Sequence, residues 1–211
     1  MLYFVQTPWW IEKLYPGRIW RFANNKKALY LTFDDGPHPE ATPFVLDELR
    51  KYSAKATFFC VGKNVVNHPL LYQRIIDEGH AVGNHTFDHL NGWKTKDALY
   101  LENVAEAKKY IDSNLFRPPY GKLTRFQQKQ LRLPRYGMNT IMWSVLSGDF
   151  DKGISNERCL QNVLFHSAPG AIIVLHDSEK SLEKMRFILP RILNYFSGKG
   201  FTFEKIELGS P

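Results

Sequence analysis

Apolar and polar positions change period repeatedly along the chain, and each change marks an element. Leu29-Tyr30-Leu31-Thr32-Phe33 is an apolar, β-prone run that stops at Asp34-Asp35-Gly36-Pro37. Gly36 tolerates positive φ and Pro37 has no ladder donor, so the strand ends there. Residues 40–52 carry Val45, Leu46, Leu49 and Tyr52 at helical spacing, and a second strand follows over Ala56 to Val61. A helix after Pro69 closes at Gly79, and a short strand, Ala81-Val82-Gly83, runs into Asn84-His85-Thr86-Phe87-Asp88-His89. Residues 95–114 predict an amphipathic helix with Leu99, Val104, Ala107, Tyr110 and Ile111 on one side. Phe116 then leads into Arg117-Pro118-Pro119-Tyr120-Gly121, and a helical segment runs on to Leu133. Thr140 to Trp143 is strand-like and empties into Ser144-Val145-Leu146-Ser147-Gly148-Asp149-Phe150. A helix near residues 157–166 precedes Ala171 to Leu175, the most apolar strand, which stops at His176-Asp177. A helix over 179–197 and a strand, Phe201-Thr202-Phe203, complete the pattern.

Strands alternating with helices, several of them continuously apolar, predict a parallel sheet covered by helices. With about seven strands and right-handed crossovers, the fold class is α/β and the architecture a (β/α) barrel, distorted or incomplete for its length. The 211 residues, 44% hydrophobic and 23% charged, suit one domain with a substantial core. No linker, repeat or low-complexity stretch divides residues 27–211, so they read as one domain. Residues 1–26, with Trp9, Trp10, Tyr15, Trp20 and Phe22, read as an aromatic lead-in packed on its outside.

Two cysteines exclude a disulfide framework and a cysteine-rich zinc site, and Cys60 reads as a core thiol. The apolar start from Met1 to Pro8 is too short for a signal core, and no transmembrane segment is expected. Location stays open between cytoplasm and envelope, because a trimmed leader would look the same. The net charge of +7 favours an anionic surface. Lys122, Arg125, Lys129 and Arg132 form a basic stripe at spacings of three and four, either a solvated face or the seat of an anionic partner. A monomer without a nucleic-acid partner is expected.

The chemistry-bearing residues share one address. Asp34, Asp35, His85, His89, Arg117, Asp149, His176 and Asp177 each follow a strand or strand-like run. In a parallel barrel all those ends open on one face, where active sites are built. His85-x-x-x-His89 puts two imidazoles one helical turn apart, and one Asp from another strand end completes a His-His-Asp set with open positions. The second Asp is then free to deprotonate a water activated by the metal, while His176 can protonate a leaving group from the opposite side. These parts add up to metal-assisted hydrolysis.

Four motifs resemble the polysaccharide deacetylase family (carbohydrate esterase family four, the NodB-homology domain). They are Thr32-Phe33-Asp34-Asp35-Gly36-Pro37, His85-Thr86-Phe87-Asp88-His89, Arg117-Pro118-Pro119-Tyr120-Gly121 and Ile173-Val174-Leu175-His176-Asp177, in the family's order. The resemblance implies a distorted barrel that removes acetyl groups from sugars, most often from N-acetylglucosamine units of peptidoglycan, chito-oligosaccharide or another envelope glycan. It implies that Asp34 is the general base and that Asp35, His85 and His89 hold one divalent ion, zinc first, with cobalt, manganese or nickel as alternatives. Arg117 would orient the base, the Tyr120 backbone N–H would hold the oxyanion, and His176 would be the acid. Pro119, Trp143, Phe150 and Leu175 would line the pocket, Leu175 against the acetyl methyl.

One motif departs. Leu146 is read as occupying the place of the Asp that tunes the acidic His, and Phe150 that of the pocket Trp, which leaves Asp149 or Asp177 to support His176. Within the same chemistry, a xylan-type O-acetyl esterase is the alternative. A non-haem iron oxygenase shares the ligand set but leaves Asp34 and His176 without a task. A glycosidase is disfavoured, since neighbouring Asp34 and Asp35 cannot flank a glycosidic bond. Leu146 is the one feature favouring a glycan-binding relic.

Overall fold

The computed structural model describes residues 3–23 and 26–208. Residues 1–2, 24–25 and 209–211, at the ends of the expected lead-in and domain, lie outside the described residues. A short helix α1 (Trp9–Leu14) and a two-residue strand β1 (Arg18–Ile19) come first. The central strand β2 (Ala28–Asp34) is followed by α2 (Ala41–Lys51), β3 (Thr57–Cys60), α3 (Gly62–Asn67), α4 (Pro69–Asp77) and β4 (Ala81–Asn84). Then come α5 (Asp97–Lys108), β5 (Leu115–Phe116), α6 (Arg125–Leu131), β6 (Asn139–Ile141) and β7 (Val145–Leu146). The chain finishes with α7 (Asn156–His166), β8 (Ile172–His176), α8 (Leu182–Gly198) and β9 (Thr202–Phe203).

The strands form one sheet in the order β1-β6-β5-β4-β3-β2-β8-β7, with β9 added to the start of β2, and every pairing of named strands is parallel. The path holds eight strands where about seven were expected. The single strand expected at Thr140 to Trp143 is two: β6 lies beside β5, whereas β7 pairs β8 at the other edge. Arg18–Ile19, inside the expected lead-in, forms the outer strand beside β6.

Side-chain alternation splits β2 and β8 between two apolar layers. Leu29, Leu31, Phe33, Ile173 and Leu175 pack outward, under Val45, Leu46 and Leu49 of α2 and Met185, Ile188, Leu189 and Ile192 of α8. Ala28, Tyr30 and Ile172 face inward with Phe59, Leu115 and Ile141. The inward parity continues through Thr32 and Val174 to Asp34 and His176, which are register partners. The central pair of strands thus delivers a carboxylate and an imidazole side by side at its C-terminal end.

Candidate active site

Neighbouring residues of a strand face opposite ways, so Asp34 and Asp35 need a backbone device to serve one site. The device is a φ of +79° at Asp35. Such values are costly for residues with a Cβ and persist only where surroundings impose them. Of the five non-glycine residues with positive φ among the described residues, Asp35, Thr86, His89 and Tyr120 belong to this site. His85 and His89 accordingly do not stand on a helical turn, as their spacing suggested. They sit on an irregular loop in which Thr86 and His89 turn the chain at φ +63° and +57°. Asn84 and Asn103 hold that loop by accepting hydrogen bonds from the backbone N–H groups of Thr86, Phe87 and Asp88.

The ligand atoms of Asp35, His85 and His89 lie within 4.8 Å of one another. Asp35 Oδ1 is 3.6 Å from His85 Nε2 and 3.1 Å from His89 Nε2. Donors about 2.0–2.2 Å from one cation fall roughly 3–3.5 Å apart, so the triad fits a divalent ion. The second nitrogen fits too: His85 Nδ1 is 2.8 Å from the Arg117 carbonyl, which fixes the tautomer and leaves Nε2 a lone pair toward Asp35. Burial pushes His85 down to about 4, against the charges of Asp34 and Asp35, so the imidazole is neutral and ready to ligate. Burial would raise Asp35. The hydrogen bond from His89 and the charges of His176, His85 and His89 outweigh it and hold the carboxyl far below the usual carboxylate range.

Arg117 is fully buried and donates through Nη1 to both Asp34 Oδ1 and Thr32 Oγ1, at 2.7 Å each. Its Nε and Nη2 donate to the carbonyls of Ile141 and Met142, and the guanidinium lies over the Phe59 ring at 4.1 Å. A charge this deep is tolerable only when so many of its donors are satisfied. The outcome is a carboxylate at Asp34 fixed in place next to Asp35 of the metal triad.

Across the site, Asp149 Oδ1 is 2.7 Å from His176 Nδ1, and its Oδ2 accepts from the His176 backbone N–H at 2.6 Å. Burial disfavours the charged imidazole. The charge and hydrogen bond of Asp149 outweigh it, Asp35 and Asp34 add to them, and His176 is pushed up to about 10. Of the two carboxylates left to support His176, the structure selects Asp149. Leu146 lies in β7, in register with Val174, and the His176 support falls to Asp149. Asp177 does something else: its Oδ1 accepts from the Gly36 N–H at 3.1 Å and its Oδ2 from Thr42 Oγ1 at 2.5 Å. Burial, with the charges of Asp35 and Asp34, raises it to about 8 against the Thr42 hydrogen bond.

The pocket residues separate. Phe150 stands edge-on to the His176 ring at 5.3 Å, and Trp143 lies 5.9 Å from the Arg117 guanidinium. Pro119 is buried at the start of a tight 3₁₀ turn, and the exposed Tyr120, at φ +59°, sets its ring edge-on to His89 at 4.7 Å. Leu175 does not line the site. It is fully buried in the outward layer, because the strand neighbour of an inward His176 faces the helices, and the inward residue is Val174. Thr32, Thr42, Phe59 and Val174 were missed from the sequence. Only strand parity with Asp34 and His176 could have flagged Thr32 and Val174.

Comparison with known proteins agrees with this geometry. The family described as polysaccharide deacetylase matches residues 22–137. The chain belongs to the polysaccharide deacetylase family. Its deacetylase relatives include a peptidoglycan-N-acetylglucosamine deacetylase of Bacillus cereus, 34% identical over 89% of this chain and 90% of the relative. A chitooligosaccharide deacetylase of Azorhizobium caulinodans is 30% identical over 90% of this chain and 98% of the relative. A solved peptidoglycan N-acetylglucosamine deacetylase, in complex with a naphthalenyl-N-oxidanyl-benzamide, is 33% identical and covers 95% of both chains with a TM-score of 0.85. The distorted (β/α) barrel is thus this deacetylase family's fold.

Proposed function

We propose that the protein is a metal-dependent hydrolase that removes the N-acetyl group from N-acetylglucosamine units of a cell-envelope glycan or a chito-oligosaccharide. One observation carries the reading: a metal-competent Asp35-His85-His89 triad stands at the same end of the sheet as a carboxylate held by Arg117 and an imidazole held by Asp149. The names of the relatives support the N-acetyl substrate.

Asp35, His85 and His89 would hold one divalent cation, proposed as zinc from the N/O donor set. When bound, it would polarise the acetyl carbonyl and lower the pKa of a water toward neutrality. Asp34 accepts the proton of the attacking water on its carboxylate, with Arg117, itself held by Thr32, fixing the group that receives it. The developing oxyanion is held by the backbone N–H of Tyr120, whose left-handed conformation directs that turn. His176 donates its proton to the departing nitrogen, so one water and one acetamide give acetate and a free amine. Asp149 keeps that proton available at neutral pH. Val174, Phe150 and Trp143 supply the apolar wall beside the acetyl methyl. With Asp149 in place, Leu146 gives no reason to read the chain as an inactive relic.

The test is acetate release from an N-acetylated chito-oligosaccharide, with and without chelator. The expected result is activity lost on chelation and restored by zinc. Asp34→Asn should retain the metal yet fall on the order of 100- to 10,000-fold in rate. A rate within a few-fold of the parent would assign the proton to another group.

A further inference from the structure

One face of the molecule takes no part in this chemistry. α1 buries none of its six residues. Trp9 is 67% exposed, Trp10 46% and Leu14 52%, while Phe4, edge-on to the Trp10 ring at 6.2 Å, is 56% exposed. A surface helix ordinarily turns such residues to the core. Here they point to solvent as a group, beyond the scattered apolar residues any surface carries. Glu12, the one acid of α1, is already paired with Arg21. Lys13 lies over the Trp9 ring at 4.7 Å.

The end of α1 faces α6 across a groove of about 760 Å³, to which Lys13, Arg125, Lys129 and Arg132 contribute four cations and Leu14 and Leu133 apolar edges. Among the described residues no carboxylate lines it. Three of these cations belong to the basic stripe legible in the sequence; Lys122 leaves the stripe for the Trp93 ring, 4.0 Å away. The groove floor is fixed, since the buried Arg18 donates to Gln128 Oε1 and the Leu123 carbonyl. Tyr15 and Pro16 precede β1, so the face runs toward the N-terminal ends of the strands, away from Asp34 and His176.

Exposed tryptophans beside cations match the boundary layer of a bilayer, where indole rings sit at headgroup depth and lysines and arginines meet anionic lipid. A soluble polyanion would occupy the cations and leave Trp9, Trp10, Leu14 and Phe4 in water. A second copy would bring two chains of net charge +7 together through like-charged grooves. We propose that the α1–α6 face docks the protein on a bilayer of anionic phospholipid, with Lys13, Arg125, Lys129 and Arg132 on headgroup phosphates and Trp9, Trp10 and Leu14 in the interface. The proposal is independent of the deacetylase reading.

Co-sedimentation of the full chain with phosphatidylcholine vesicles, with and without phosphatidylglycerol, tests it. Binding is expected only to the mixed vesicles and should weaken as salt rises. Lys129→Ala and Arg132→Ala should each weaken it roughly fivefold. Trp9→Ala with Trp10→Ala should abolish the fraction that survives high salt; neither indole is buried, so the unfolding midpoint should stay close to the parent's value. Three results would overturn the proposal: no sedimentation of the parent with mixed vesicles, equal binding by the charge variants, or equal binding to phosphatidylcholine alone. Equally tight capture of soluble poly(glycerol phosphate) by the parent and the tryptophan variant would replace the lipid with a free polyanion. A dimer in light scattering that Trp9→Ala dissolves would replace it with a second copy.

Discussion

Asp149 reaches His176 twice, through the backbone N–H and through Nδ1, and this contact sets where the imidazole gives up its proton. In Asp149→Asn the charge is gone while burial still opposes the protonated ring, so the His176 pKa falls by about one to three units. The alkaline limb of kcat/KM, which reports the acid, should move to lower pH by that amount. Leu146→Asp should leave the limb unmoved, since Asp149 already holds the ring, and a pH–rate profile of the three proteins checks both. Stability follows the same sign. With a folded value near 10 against 6.5 unfolded, the pair's contribution is complete below pH 6.5 and lost as pH rises through about 10. Urea unfolding of parent and Asp149→Asn should therefore converge at high pH. The sequence made Asp34, Asp35, His85, His89, Arg117 and His176 legible because each follows an apolar run at a strand end. It left Asp149 and Asp177 both open as the support of His176, because neither the residue beyond a strand end nor one in a loop carries a parity that says which way its side chain turns. Leu175 was misplaced although parity was available: whatever neighbours an inward His176 must look outward.

Gly36 joins two elements. A Cβ there would lie 2.1 Å from Asp177 Oδ2, the carboxylate that ties the end of β2 to Thr42. Gly36→Ala should force β2 and β8 apart at the Asp34–His176 pair and destabilise by about 1–3 kcal/mol. Gly198→Ala, in the last turn of α8 with nothing within 4 Å, should instead stabilise by about 0.5–1 kcal/mol. Denaturant midpoints of the two variants, read against the parent, check the contrast. Long elements were the legible ones: β2, β8, α2 and α8 have enough residues to show a period. Of the two-residue strands, β9 showed as an aromatic run after Gly200, whereas β1, β5 and β7 show no period and take their places in the sheet from their neighbours. The same shortage hid the break between β6 and β7 and the irregular backbone between His85 and His89.

For the whole molecule, the metal triad joins β2 to the loop after β4, so an ion held there should oppose unfolding. At about one hundred times its Kd, a cation adds roughly 2.7 kcal/mol. Chelation should lower the melting temperature by about 2–4 °C for each kcal/mol lost. His89→Ala should melt at one temperature with or without chelator. The sheet's outer rim carries a different consequence. Residues 5–7 run antiparallel to β7, with Gln6 opposite Val145, the Thr7 N–H donating to the Ser144 carbonyl at 3.0 Å and the Leu146 N–H to the Val5 carbonyl at 2.8 Å. That short strap is a sheath over a strand edge whose amide groups would otherwise recruit another chain. A protease that nicked the chain before Pro8 would leave the metal triad, Asp34 and His176 in the chain, take away the Tyr3 ring that packs on Phe150, and turn the molecule into a template for its neighbours. Sedimentation velocity on a chain trimmed of residues 1–7 should show concentration-dependent clustering absent from the intact protein. The first event in its ageing would then be stickiness between molecules.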